Sequence, residues 1–344
     1  MKHYLLPNKG NFYKANLHCH TNCSDGKFTP EEIKKLYSEK GYSIVAFTDH
    51  EVMIPQNHLT DENFLAITGV EFAVNMGSYD YLPSTHLNFL SKDKNRRTFP
   101  AFRANKLWKA IEHMNQYIDD EMREYTDELV PGYNDEFFNA VIKKCNEEGL
   151  LVAFNHPVGS LQNFNDYGNL KGLWGMECHN GGPEIGSFPE SMHPIVEMHR
   201  VGERILPIAA DDTHGDNNLF GGFNMIKAEK LDYDVIMTAL EKGEFYASEG
   251  PEINELYIED GIVHVKTSDA HAIILHSMQR FSRKVIAKDG ETVNEASFDI
   301  NGFIESCKNF ENILPYGDFI RIEVIDKNFK HAYSRCYYLE EFEG

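Results

Sequence analysis

Two rhythms of apolar and polar positions divide this chain. In the first, short apolar runs recur at 43–47, 65–70, 150–154, 173–177 and 205–210. Each has the length of a buried strand. Helical spacing separates them. Thr29-Pro30-Glu31-Glu32 is a capping box with proline at the first helical position. Ile33, Leu36 and Tyr37 then give an apolar stripe, and Gly41 ends that helix. Further helices are expected over 135–148, 189–201 and 232–242, and a strand-like run over 85–90. From about 91 to 131 the spacing stays helical while Phe99, Phe102, Trp108 and basic residues accumulate. That stretch reads as an insertion over the mouth of a barrel. Strand alternating with helix implies parallel βα units and an α/β fold.

The second rhythm begins after Pro251. Runs at 255–258 and 262–265 flank Glu259-Asp260-Gly261, a hairpin signal. Further β runs are expected over 319–325 and 335–339, with only a short helical turn near 303–308. The expectation is a barrel domain over 1–250, with the insertion at 91–131, and a small β-sandwich over 251–344. Packing or oligomerisation is the plain role for that second module.

Candidate chemistry collects where the strands of the first rhythm end. His18-Cys19-His20 is followed by Asp25. Residues i and i+2 of an extended strand share a face, so both imidazoles can meet one ion while Cys19 faces away. Thr48-Asp49-His50, Glu71, His86, Asn155-His156-Pro157, Glu177-Cys178-His179-Asn180 and Asp211-Asp212-Thr213-His214 mark other strand ends. Loops at the C-terminal ends of strands converge on one mouth in α/β barrels. Imidazole with carboxylate suits zinc, manganese or iron, and the scarcity of thiolate argues against a structural zinc site. Asp211 and Asp212 compete as ligands, and Asp212 keeps the i, i+2 relation to His214.

Composition narrows the partners. The 344-residue chain carries a formal charge of -21, which disfavours broad contact with nucleic acid or anionic membrane. No apolar run approaches the roughly 20 residues of a membrane span. The first residues lack the apolar core of a signal peptide. The six cysteines show neither zinc-finger nor thioredoxin spacing. Reduced thiols and a cytoplasmic location are therefore expected.

The ordered set of strand-end motifs resembles the PHP (polymerase and histidinol phosphatase) metal-dependent phosphoesterases, over roughly residues 10 to 250. The ending Phe245-Tyr246-Ala247-Ser248-Glu249-Gly250-Pro251 is similar to the two-domain branch that includes CehA/McbA-type metallohydrolases. The resemblance implies a distorted (β/α)7 barrel with two or three divalent metals. Carried over, His18, His20, Glu71 and Asp212 bind the first metal. Glu71 bridges to a second, held with His86 and His156, and Asp25, His50 and His214 hold the third. Glu71, Asp212 and His214 are the expected catalytic set. Arg96, Arg97 and Arg103 are candidate clamps for a substrate phosphate, and His179 and Asn180 are expected to face the site. The leading expectation is hydrolysis of small phosphate esters by a metal-activated water. A carboxyl-ester or carbamate hydrolase is the alternative, and a non-catalytic metal-binding protein is the third.

Overall fold

The computed structural model describes residues 2–76, 84–126, 128–181, 189–309 and 317–342. Strands β1 (His3–Tyr4) and β2 (Asn11–Asn16) precede helix α1 (Pro30–Ser38). Thr29 caps α1 by accepting the Glu32 N–H, and the Glu32 carboxylate accepts the Thr29 N–H in return. Strands β3 (Ile44–Phe47), β4 (Leu65–Asn75) and β5 (Ser84–Ser91) follow. Next come helix α2 (Asp120–Glu124), α3 (Asp135–Glu147), β6 (Leu150–Phe154), α4 (Phe164–Tyr167) and β7 (Gly175–Asn180). Helix α5 (His193–Arg200), β8 (Leu206–Ala210), β9 (Phe223–Ala228), α6 (Tyr233–Lys242) and β10 (Phe245–Ser248) complete this part.

Strands β2 to β8 are neighbours in chain order within one 14-stranded sheet. The ends of this run also meet. The His20 N–H donates to the Thr213 carbonyl, the Asp212 N–H donates to the His18 carbonyl, and Cys19 bridges Thr213 in parallel. Lower down, the Asn224 amide bonds both backbone groups of Ala209. One apolar cluster draws Ala15, Ala46, Ile67, Leu90, Ala153 and Ile208 from six of these strands. The candidate ligands lie beyond that cluster, at one end of the strands.

Two expectations need correction. The βα pattern is not parallel throughout: β5 is antiparallel to both β4 and β6. This reversal has a direct consequence. The N-terminal end of β5 shares the rim with the C-terminal ends of β2, β3, β4, β6, β7 and β8. His86, near the start of its strand, therefore reaches the same place as residues at the ends of the others. The second correction concerns 91–131. Its apolar spacing buries Phe99, Phe102, Ile111, Met114 and Met122, but the backbone is a 3₁₀ segment, Lys109–Tyr117, broken at Ile111, and then the short α2.

The remainder forms β11 (Ile253–Glu259), β12 (Ile262–Ala270), β13 (Ala272–Ser277), β14 (Ser282–Ile286), β15 (Val293–Asp299), α7 (Asn301–Asn309), β16 (Phe319–Ile325), β17 (His331–Ser334) and β18 (Tyr337–Tyr338). A four-stranded sheet, β1-β11-β12-β15, faces the β14-β13-β16-β17 end of the large sheet. Leu256, Val263 and Phe298 on one side meet Ile273, Ile320 and Ile322 on the other in a shared core. The expected division at residue 250 is crossed twice: β1 pairs with β11, and β10 pairs with β17. Leu5, Leu6 and Tyr246 belong to that second core. Among the described residues, no helix is long and apolar enough to cross a membrane. The six cysteines are buried free thiols.

Candidate metal centre

The pairing of 18–20 with Thr213 keeps the chain extended past the end of β2. It turns the two histidines to one side, with their Nε2 atoms 3.1 Å apart. Cys19 faces the opposite way, into the cluster of Ile33, Tyr37 and Phe47. Three groups of side chains can each hold a cation: His18, His20, Glu71 and Asp212; Glu71, His86 and His156; and His20, Asp25, His50 and His214. Glu71 joins the first two groups. His20 joins the first and third, an overlap that the sequence reading did not include. The His20 Nε2 lies 3.1 Å from Glu71 and 3.2 Å from Asp212, and its Nδ1 lies 3.4 Å from Asp25.

Surrounding residues fix these ligands. Glu177 accepts from His18 Nδ1 at 2.8 Å and from the His156 backbone N–H at 2.7 Å. With its Nδ1 proton held by Glu177, His18 turns an Nε2 lone pair to the centre. His156 Nδ1 meets Ser160 Oγ at 2.7 Å, and the Asn155 amide donates to Glu71 at 2.7 Å. Asp49 accepts the backbone and hydroxyl protons of both Thr21 and Ser24, which fixes the turn that delivers Asp25. His156 and Asp212 have positive φ, 29° and 51°. Non-glycine residues held there store strain, which is common where side chains are re-aimed at a site.

The two adjacent aspartates separate cleanly. Asp211 is fully buried behind the site and accepts from the Phe220, Gly221 and Gly222 N–H groups and the Tyr37 hydroxyl. Asp212 faces His18 and His20, both at 3.2 Å.

Burial opposes charge throughout the centre, yet mutual attraction overrides it at most positions. Burial works against a charged His18, but Asp212, Glu71 and Glu177 push its pKa up to about 10. His20 is likewise raised against burial, by Asp212, Asp25 and Glu71. Burial would raise Glu71 and Asp212, but the neighbouring histidines hold both carboxyls well below their usual range. His50 is the exception: burial drives it down to about 3. The protein thus holds ionised carboxylates against closely spaced imidazoles. Among the described residues, buried His20 Nδ1, His50 Nδ1 and Asp212 Oδ1 have no hydrogen-bond partner. Such orphaned atoms are costly unless something else binds them. Hard and borderline divalent cations fit this oxygen and nitrogen donor set.

A cavity of about 650 Å³ opens over the centre. Asp25, His50, Glu71, His86, His156 and Asp212 reach it from one side. The arginine clamp is largely not found there. Arg96 pairs with the Glu148 side chain and carbonyl, and Arg97 pairs with Asp119 and the Tyr117 carbonyl; neither lines the cavity. Arg103 does line it, but its guanidinium donates to the Phe102 and Leu129 carbonyls and so braces the insertion. His179 turns to Glu249 at 3.6 Å. Asn180 does approach the centre, donating to Glu177 at 2.8 Å and to Asp212 at 3.3 Å. Sequence reading missed the supporting roles of Glu177, Asp49 and Ser160; Lys106 and Trp108, from the segment expected over the mouth, line the cavity wall. Glu177 and Asp49 stood within strand-end motifs. No local pattern marked Ser160.

Fold and site together define an α/β chain with a carboxylate-linked centre suited to more than one cation. Residues 16–163 match the PHP domain. Similar solved structures include a two-domain protein from Bacteroides vulgatus ATCC 8482 containing a predicted PHP-like metal-dependent phosphoesterase. It covers 97% of this chain and 98% of its own, at 12% identity and a TM-score of 0.42. An amidohydrolase from Chromobacterium violaceum, solved with bound sulfate and no metal, covers 67% of this chain and 96% of its own, at 16% identity and a TM-score of 0.38. A lesion-specific endonuclease from Pyrococcus furiosus covers 67% of this chain and 56% of its own, at 15% identity and a TM-score of 0.36. No curated protein matches the chain.

Proposed function

We propose that the protein is a metal-dependent hydrolase of small phosphate esters, built on a distorted (β/α)7 barrel. The observation that carries this reading is the convergence of three overlapping ligand groups at one end of a cavity. His18, His20, Glu71 and Asp212 hold one cation. Glu71, His86 and His156 hold a second, and His20, Asp25, His50 and His214 hold a third. Divalent ions bound there supply positive charge for an anionic ester and an acidified water for attack.

The chain's own residues do the rest. Glu177 keeps the His18 proton on Nδ1, away from the centre. Asn155 and the Asp49 turn hold Glu71 and Asp25 in place. The cavity walls limit access by bulk water and exclude long polymers. The chain's net charge of -21 repels extended polyanions, whereas one phosphate can enter the local field of the cations. No nucleic acid or membrane partner is proposed, and the chain is assigned to the cytoplasm.

A substrate panel tests this reading. Protein reconstituted with manganese or zinc is given p-nitrophenyl phosphate, its diester analogue, nucleoside monophosphates, short DNA and a carbamate ester. Phosphate release from the small monoesters or diesters is expected to be fastest. Carbamate cleavage without phosphate release would transfer the assignment to carbonyl hydrolysis. Preference for DNA would overturn the electrostatic argument.

A further inference from the structure

Beside the ligands, the cavity over the centre is lined by apolar Phe72, Val74, Ala101, Trp108, Pro131 and Phe137, with polar Glu51, Asn75, Ser84, Arg103 and Lys106 among them. Trp108 is 41% exposed, and its ring stands edge-on to His50 with centroids 5.1 Å apart. It therefore sits directly beside the third ligand group. Two other exposed apolar residues adjoin lining positions in sequence. Met76, 52% exposed, follows the lining residue Asn75, and Val130, 82% exposed, precedes the lining residue Pro131.

We infer that this cavity selects esters whose leaving group is apolar, an alkyl or aryl group seated against Trp108, Val74 and Phe137. The inference rests on the hydrolase reading for its head group and deepens it. The ester head meets the cation centre. The carbon chain then runs along the apolar wall, where it displaces water. A volume of about 650 Å³ is within the range that encloses a small organic ligand. The wall comes partly from the insertion at 91–131. That segment buries Phe99, Phe102, Ile111 and Met114 beneath it, so Trp108 stands on a packed base. Lys106, on the same segment, also lines the cavity.

The test measures binding and needs no turnover. Metal-loaded protein is titrated calorimetrically with n-alkyl phosphonates from ethyl to octyl. Affinity is expected to rise about three- to fourfold per methylene until the wall is covered, the gain typical of burying one CH₂. Trp108→Ala should flatten that rise, Trp108→Phe should restore most of it, and bound metal should match wild type in both variants. Equal affinity across the series, or a rise equally steep in Trp108→Ala, would overturn the inference, as would no binding by any phosphonate. Phosphate release from the matching alkyl phosphates is read separately. Its absence would count against the phosphoesterase reading, while the binding series still decides the apolar wall.

Discussion

At the scale of single residues, His20 has the most demanding position. Both of its ring nitrogens face carboxylates, and it belongs to two ligand groups. Asp211 and Asp212 are neighbours in sequence with unrelated duties, and substitution should separate them. Asp212→Asn removes a charged ligand and should deplete bound metal, because Asp212 Oδ1 faces the His18 and His20 imidazoles of the first ligand group. Asp211→Asn leaves the ligand set complete. It turns one amide group against donors that now meet a carboxylate oxygen, at a cost of about 1–3 kcal/mol of stability. Cys19→Ser should also retain metal, since Cys19 packs away from the centre. Elemental analysis beside thermal unfolding checks all three variants, and metal loss in Asp211→Asn or Cys19→Ser with retention in Asp212→Asn would reverse the assignment. The facing of His18, Cys19 and His20 was legible because strand alternation is local. Whether Asp211 or Asp212 points inward was not. That choice depends on the positive φ of Asp212 and on donors from residues 220–222.

At the scale of elements, α1 and α3 were legible from their caps and apolar stripes, which are local signals. The reversed direction of β5 was not, because a strand's own pattern does not say which way its neighbours run. The insertion misled for a related reason. Apolar residues at helical spacing needed burial, and a 3₁₀ segment met that need as well as an α-helix. The second module offers an element-scale prediction. Glu323 on β16 accepts from His276 at 2.7 Å and His331 at 2.8 Å, with Arg321 at 3.5 Å. Burial opposes its charge, but His276 and His331 hold its pKa below the ordinary 4.5. The Glu323 bond raises His331 above its ordinary 6.5. The depressed Glu323 stabilises above 4.5 and loses that contribution as pH falls. The raised His331 stabilises fully below 6.5 and loses its contribution as pH rises. Both act together between those values. Glu323→Gln should therefore cost most near pH 5.5, about 1–3 kcal/mol, and less at pH 8.5. Thermal unfolding of both proteins at the two pH values checks the sign, and a cost that grows towards pH 8.5 would refute it.

At the scale of the whole molecule, the large sheet runs from the ligand-bearing strands through β9 and β10 into β17, β16, β13 and β14. The change of rhythm after Pro251 correctly signalled a β-rich module. It could not signal that the first strand of the chain joins that module, since pairing of β1 with β11 spans most of the sequence. A chain cut after Gly250 should expose the edge of β10 and the residues it contributes to the second core, Leu5, Leu6 and Tyr246. Aggregation of that fragment is expected on size-exclusion chromatography, and a monodisperse, metal-loaded fragment would show that the two parts fold independently.

The central claim is that phosphoester hydrolysis depends on several cations gathered by Glu71 and His20. Titrating metal-stripped protein with manganese or zinc, while following phosphate release from p-nitrophenyl phosphate, tests it most directly. The account predicts no release without metal and a rise that continues to at least two equivalents bound per chain. Full activity in the stripped protein, or saturation with fewer than two bound ions, would contradict it.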